Sequence, residues 1–322
     1  MDGSRSRDVL AIGRCGVDLY PMQPGRRLED VDTFAKFLGG SATNVAVACA
    51  RYGRDAAVLT GVGDDPFGRF VVTELARLGV DPSLVVTNPH FNTPVTFCEL
   101  FPPDDFPLYF YRWPTTPDLE VGPEHLPADL ERYRILWLTV SGLSAEPSRA
   151  MHELALARHR DGLAVLDLDY RPRFWIDEAS ASEAVARVLG SVDVAIGNVE
   201  ECRIAVGESD PERAADALLE RGVEIAFVKQ GPTGTLVKSR TERAFVPAFP
   251  VEVVNGLGAG DAFGGAVCHG VLNGWGVEQI ATFASAAGAI VASRLECSTA
   301  MPRQDEVAEL LAAAGRGFEM EG

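Results

Sequence analysis

The sequence predicts an α/β fold, with a mainly parallel central sheet, helices on both of its faces, and a small β-sheet lid. Three observations predict it. Short apolar runs bounded by turns alternate with helical patterns through most of the chain, which is the signature of strands joined by helical crossovers. Residues 19–38 and 91–115 break that rhythm with aromatics, prolines and alternation. Each of these two stretches interrupts a strand–helix unit, so they belong to an accessory sheet folding over a site. With 322 residues and no internal repeats, we read residues 1–322 as a single domain carrying an inserted lid.

The elements follow in order. Residues 8–15 (DVLAIGRC) read as a strand, and 39–53 as a glycine start followed by a small-residue helix that Gly53 can end. Strand 56–63 and helix 67–80 come next. Further strands are expected at 134–140, 163–170, 192–198 and 224–231, with helices at 148–162 and 211–222 between them. Another small-residue helix begins near Ala259, and 283–293 is an apolar helix.

Charge and composition narrow the function. A formal net charge of −17 repels phosphate backbones and anionic headgroups, so neither nucleic acid nor a membrane is expected as a partner. An anionic substrate would need a local basic exception to that field. No apolar run reaches the ~18 residues of a spanning helix, and the polar opening lacks the pattern of a secretory signal. The six cysteines are scattered singly and read as buried thiols of a cytoplasmic protein; the isolated histidines suggest no metal cluster.

Chemistry concentrates in NGLGAGDAFGGAVCHGVLNG, residues 255–274. Glycines before a helix let backbone amides approach a ligand, and a helix N-terminus presents free N–H groups and a positive dipole to an anion. Gly258, Ala259 and Gly260 could therefore form an anion hole. Asp261, in the first turn, could take a proton from an attacking hydroxyl. By residue type alone, a tight turn followed by a first-turn carboxylate fits as well. The spacing is neither G-x-G-x-x-G nor a Walker A loop.

GAGDAF after a strand resembles the C-terminal signature of the ribokinase (PfkB) family, and GGSATNVAVACARYG resembles its N-terminal one. The paired resemblance implies a ribokinase-like fold and an ATP-dependent carbohydrate kinase that uses Mg²⁺. It implies Asp261 as catalytic base and Gly258, Ala259 and Gly260 as the anion hole. On the acceptor side it implies Asp18, Gly39, Gly40 and Asn44 against substrate hydroxyls. GNVEE resembles the family's N-x-x-E element, which implies that Asn198 and Glu201 organise Mg²⁺, Glu201 through water. VKQGPTGTLV resembles the loop bordering ATP, implying Lys229, Gly231 and Gly234. Asn255-Gly256 stands where many members have Asp-Thr near a monovalent-cation site; Asn255 is counted with the cofactor residues, and K⁺ dependence is left open. Lid ribbons of relatives often pair, which implies a homodimer.

Two features point to a sugar acid. FPLYFYR places Tyr109 and Arg112 at the end of the second ribbon, and DLDYRPRFW places Asp169 and Arg171 at a strand end; arginine grips carboxylate bidentately. Arg171 could instead touch the ATP γ-phosphate, and both arginines could be surface residues. Within the family, D-x-D-Y-R-P-x-x-W with the Tyr-Arg ending resembles the kinases of 5-dehydro-2-deoxygluconate in inositol breakdown, which phosphorylate position 6. Kinases of 2-keto-3-deoxygluconate, which differ by an asparagine near 169–171, and of fructose are the alternatives. A catalytically silent sugar-acid sensor on the same fold would have no need of Asp261.

Overall fold

The computed structural model describes residues 6–317. Six strands form the parallel part of the main sheet: β1 (Arg7–Ile12), β4 (Ala56–Gly63), β8 (Tyr133–Thr139), β9 (Leu163–Asp167), β10 (Val194–Asn198) and β11 (Ile225–Lys229). β5 (Val85–Asn88) extends it in parallel beyond β4. At the other edge β12 (Gly234–Ser239) and β13 (Arg243–Pro247) close it antiparallel, giving the order β13-β12-β11-β10-β9-β8-β1-β4-β5.

Successive strand residues point to opposite faces, and both faces are covered. Val9, Ala11, Val58, Trp137 and Val165 face one core. It is shared with α1 (Ser41–Arg51), α2 (Pro66–Arg77), α7 (Ala259–Leu272), α8 (Val277–Ala292) and α9 (Gln304–Ala313). Leu10, Ile12, Leu59, Leu136 and Leu166 face the other, shared with α3 (Ser148–Arg158), α4 (Glu178–Val188), α5 (Val199–Val206) and α6 (Pro211–Glu220). Among the described residues, no helix is long and apolar enough to cross a membrane.

The two rhythm-breaking stretches form a separate four-stranded sheet in the order β3-β2-β6-β7. Its strands are β2 (Gly16–Pro21), β3 (Phe34–Gly39), β6 (Val95–Cys98) and β7 (Leu108–Tyr111). Three expectations need adjustment. The strand expected over 8–15 is shorter: β1 stops at Ile12, the chain turns through Gly13–Cys15, and β2 then opens the second sheet. The helix expected to 162 ends at Arg158, because His159 turns inward to bond the Tyr133 carbonyl at 2.7 Å. The edge strand β5 has only the three-residue apolar run Leu84–Val86 and went unseen.

Helices α1 and α7 meet closely because α7 is made of small residues. A Cβ on Gly265 would lie 2.4 Å from the Ala48 side chain, and one on Gly264 would lie 3.3 Å from the Trp137 ring nitrogen. That approach brings the start of α1 to the start of α7.

Candidate active site

The C-terminal ends of β1, β9, β10 and β11 share one edge of the main sheet, the edge where open α/β sheets bind ligands. The start of α7 and the inner face of the small sheet meet this edge. Gly258, with φ of +81°, is the N-cap of α7, and a Cβ there would sit 2.9 Å from the Cys297 sulfur. The first intrahelical bond runs from the Ala262 N–H to the Gly258 carbonyl, so the amides of Ala259, Gly260 and Asp261 precede it and are free for an anion. Lys229, at the end of β11, brings its ammonium to 3.4 Å from where a Gly260 Cβ would be. Burial works against the Lys229 charge, but Asp167, Glu201, Asp169 and Asp261 outweigh it and its pKa is raised.

Asp261 is held by Asn44 of α1, whose Nδ2 donates to Oδ2 at 2.7 Å. The amide is oriented in turn by the Ser298 hydroxyl, which donates to Asn44 Oδ1 and lies 2.8 Å from the Leu38 carbonyl. Burial raises the Asp261 pKa to about 6, helped by the nearby Asp169; the Asn44 hydrogen bond, Arg14 and Arg171 pull the other way. The arrangement is a carboxylate that titrates just below neutrality beside a ring of unspent N–H donors.

Asp18, on β2, is pushed to about 6 by burial against the counter-effects of Arg14 and of the Tyr20 hydroxyl, which donates to Oδ2 at 3.0 Å. The two signature glycines have separate reasons. A Cβ on Gly39 would sit 2.2 Å from the Asp18 carboxyl carbon, and Gly40 has φ of +103° with the Arg14 carbonyl 2.5 Å from its would-be Cβ. Asp169, in the loop after β9, pairs with Arg171 at 2.6 Å, and the Ser141 hydroxyl lies 3.1 Å from its Oδ2. Arg171 remains 39% exposed, with its positive charge felt by Asp261.

Other expected residues sit differently. Tyr109 lies on the wrong face: strand pairing aligns it with Phe97 and Leu19, whereas Asp18 aligns with Thr96 and Phe110. Its hydroxyl donates to Glu99 at 3.3 Å, and the aromatics on the Asp18 face are Tyr20, Phe37 and Phe110. Arg112 does turn inward, but Asp118 meets it at 2.7 Å with both side chains buried, so the clamp expected of it is closed on an internal carboxylate. Asn255 is fully buried and spends both polar groups on the backbone, donating to the Leu295 carbonyl at 2.7 Å and accepting from the Leu257 N–H at 3.0 Å. That holds the turn before α7. Gly231 and Gly234 lie in the turn between β11 and β12 and have positive φ; at Gly234 a Cβ would meet the Val246 carbonyl at 2.3 Å.

Asn198 and Glu201 form a capping box at the start of α5, with the Glu201 N–H donating to Asn198 Oδ1 and the Asn198 N–H to Glu201 Oε2. One Glu201 oxygen is thereby committed, and Asp167 lies near enough to act on the same charge field. Among the described residues, no group of three or more His, Cys, Asp or Glu converges to hold a metal. Glu201 and Asp167 supply carboxylate oxygens of the kind Mg²⁺ takes, and they would hold, through its waters, an ion brought in on nucleotide phosphates. Three site residues were missed in the sequence, among them Asp167, two positions before the expected Asp169. Arg14 stood in plain view after the first strand, in GRCGVD; Ser298 carries no local signal, because only the fold brings it to Asn44.

The model of the pfkB family carbohydrate kinases matches residues 6–304. A protein from Geobacillus thermodenitrificans named 5-dehydro-2-deoxygluconokinase is 32% identical over 96% of this chain and 94% of its own length. One of the same name from Photobacterium profundum is 34% identical over 94% and 93%. Among solved structures, a protein from E. coli described as a ribokinase II, in complex with ATP and Mg²⁺, superposes with a TM-score of 0.88 at 24% identity, covering 95% of this chain and 99% of that one. A family match that runs through both sheets and through every residue gathered at this edge leaves one conclusion: the chain belongs to the pfkB family of carbohydrate kinases.

Proposed function

We propose that the chain transfers the γ-phosphoryl group of ATP to the primary hydroxyl at position 6 of 5-dehydro-2-deoxy-D-gluconate, as part of inositol breakdown. The observation that carries the transfer chemistry is the Asp261 carboxylate, fixed by Asn44 beside the free N–H groups of α7. The name shared by relatives aligned over nearly the whole chain supports the acid.

Asp261 accepts the proton of the attacking hydroxyl. The amides of Ala259, Gly260 and Asp261, with Lys229, stabilise charge on the transferring group. Asp18 and Asn44 receive substrate hydroxyls. Mg²⁺ bound through the nucleotide phosphates would neutralise their developing charge. The four-stranded sheet acts as a lid whose closure excludes water, which keeps Asp261 from promoting ATP hydrolysis. On the lid's outer face Phe34, Phe97 and Tyr111 are in edge-on contact, with Tyr111 67% exposed, and we assign that face to a homodimer. The free thiols of all six cysteines suit the cytoplasm, where ATP is supplied. No cation-binding role is assigned to Asn255.

The test is coupled ATP turnover with Mg²⁺ on 5-dehydro-2-deoxygluconate, 2-keto-3-deoxygluconate, fructose, ribose and adenosine. Preference for the first supports the proposal. Preference for the second keeps a sugar-acid kinase with the other acid, activity on a neutral sugar alone overturns the acid, and turnover of none favours a silent sensor.

A further inference from the structure

Three arginines reach the edge where substrate would sit, and two of them have already met a carboxylate. Arg112 is paired with Asp118 at 2.7 Å, and Arg171 with Asp169 at 2.6 Å. Arg14 has no hydrogen bond or ion pair among the described residues, and its Nε is buried without a partner. Arg14 is only partly buried, but a guanidinium N–H shut off from water with no acceptor is costly to keep, and such a group persists at a site when a ligand completes it.

The surroundings of Arg14 say which ligand. It lies in the turn where the chain leaves β1 for β2, between the main sheet and the small one. Its charge acts on both Asp18 and Asp261. Its guanidinium carbon is 5.5 Å from the centre of the Phe110 ring, on the Asp18 face of the small sheet. Arg14 is therefore on the acceptor side of the base, whereas the phosphate side is served by Lys229 and the start of α7. The planar fork of a guanidinium matches a carboxylate with two parallel hydrogen bonds.

We propose that Arg14 selects an acid over a neutral sugar by binding the carboxylate of the acceptor. This rests on the sugar-acid reading above and replaces Arg112 as the residue that carries it. The anion could come from the acceptor or from the γ-phosphate, and the two sources separate kinetically.

The experiment measures KM for 5-dehydro-2-deoxygluconate, for fructose and for ATP in the wild type and in Arg14→Ala and Arg14→Lys. It adds calorimetric binding of the acid without nucleotide to Arg14→Gln, whose fold is checked by circular dichroism. The expected result is a KM for the acid at least ~30-fold higher in Arg14→Ala and partly recovered in Arg14→Lys. KM for ATP stays within about twofold, weak fructose turnover is no worse, and calorimetric affinity falls in parallel for Arg14→Gln. A KM for the acid within about threefold of wild type would overturn the proposal. So would a rise confined to ATP, or an acid limb that moves to higher pH with no change in acid affinity, since those assign Arg14 to the phosphates or to support of Asp261 alone. If the wild type turns over no sugar acid, the functional reading falls and this goes with it; turnover of the acid with unchanged KM in the variants removes Arg14 only.

Discussion

Asp261 shows how a carboxylate becomes a base suited to neutral pH. Burial raises its pKa to about 6, while one hydrogen bond from Asn44 and two arginine charges limit the rise. The ionised form is the active one, so kcat/KM should fall about tenfold per pH unit below pH 6 and level off above it. Asp261→Asn should lower kcat by at least ~100-fold, a loss of about 2.7 kcal/mol of transition-state stabilisation, with the melting temperature kept. Near-normal turnover by a folded variant, or a pH limb unmoved from the ordinary carboxylate range near 4, would remove Asp261 from the role.

At the scale of elements, the site depends on two helices touching. Gly264 and Gly265 let α7 close on α1, and that contact delivers Asn44 to Asp261. Gly265→Val puts carbon where Ala48 already stands, and should cost about 1–3 kcal/mol of stability. It should also lower kcat by more than it raises KM for ATP, because Asn44 moves while Lys229 stays. Denaturant unfolding and steady-state kinetics on one preparation check both halves, and a variant as stable and as active as wild type would show that α7 can shift without consequence.

Much of this level was legible in the sequence. Strands buried on both faces announce themselves by apolar runs, and a glycine pair before a helix announces a close approach. Tyr109 was misplaced because a one-residue step along β7 exchanges the faces of the small sheet, and residue types do not fix that register. Arg112 was misassigned for another reason: its partner Asp118 is close in the chain, but whether the pair faces inward or outward depends on the turn between them. Ser298 and Asn44 are far apart in sequence and come together only in the finished fold.

For the molecule as a whole, the site stores an electrostatic cost. Asp18 and Asp261 titrate near 6 in the folded chain against an ordinary value near 3.9 unfolded, and burial pushes Asp167 up to about 7. The folded state binds more protons than the unfolded one across that interval. The stability these groups contribute is complete below pH ~4 and is lost as pH rises through 6 to 7. Carboxylates held low by hydrogen bonds or arginines, such as Asp65, Asp81 and Glu306, lose their contribution only at more acid pH. The ligand-free protein should therefore melt higher at pH 5.5 than at pH 8, by a few degrees in calorimetry. The difference should shrink in the Asp18→Asn, Asp261→Asn double variant. A melting temperature that climbs with pH over this range would contradict the assignment.

Gly39 carries one more implication. Its missing side chain is the space the Asp18 carboxyl occupies, 2.2 Å from where a Cβ would stand. An alanine at 39 must evict that carboxyl, so it disables Asp18 without altering it. The two positions therefore form a single unit of variation: once either is lost, the other is free to drift, and neither can be regained by its own reversal alone.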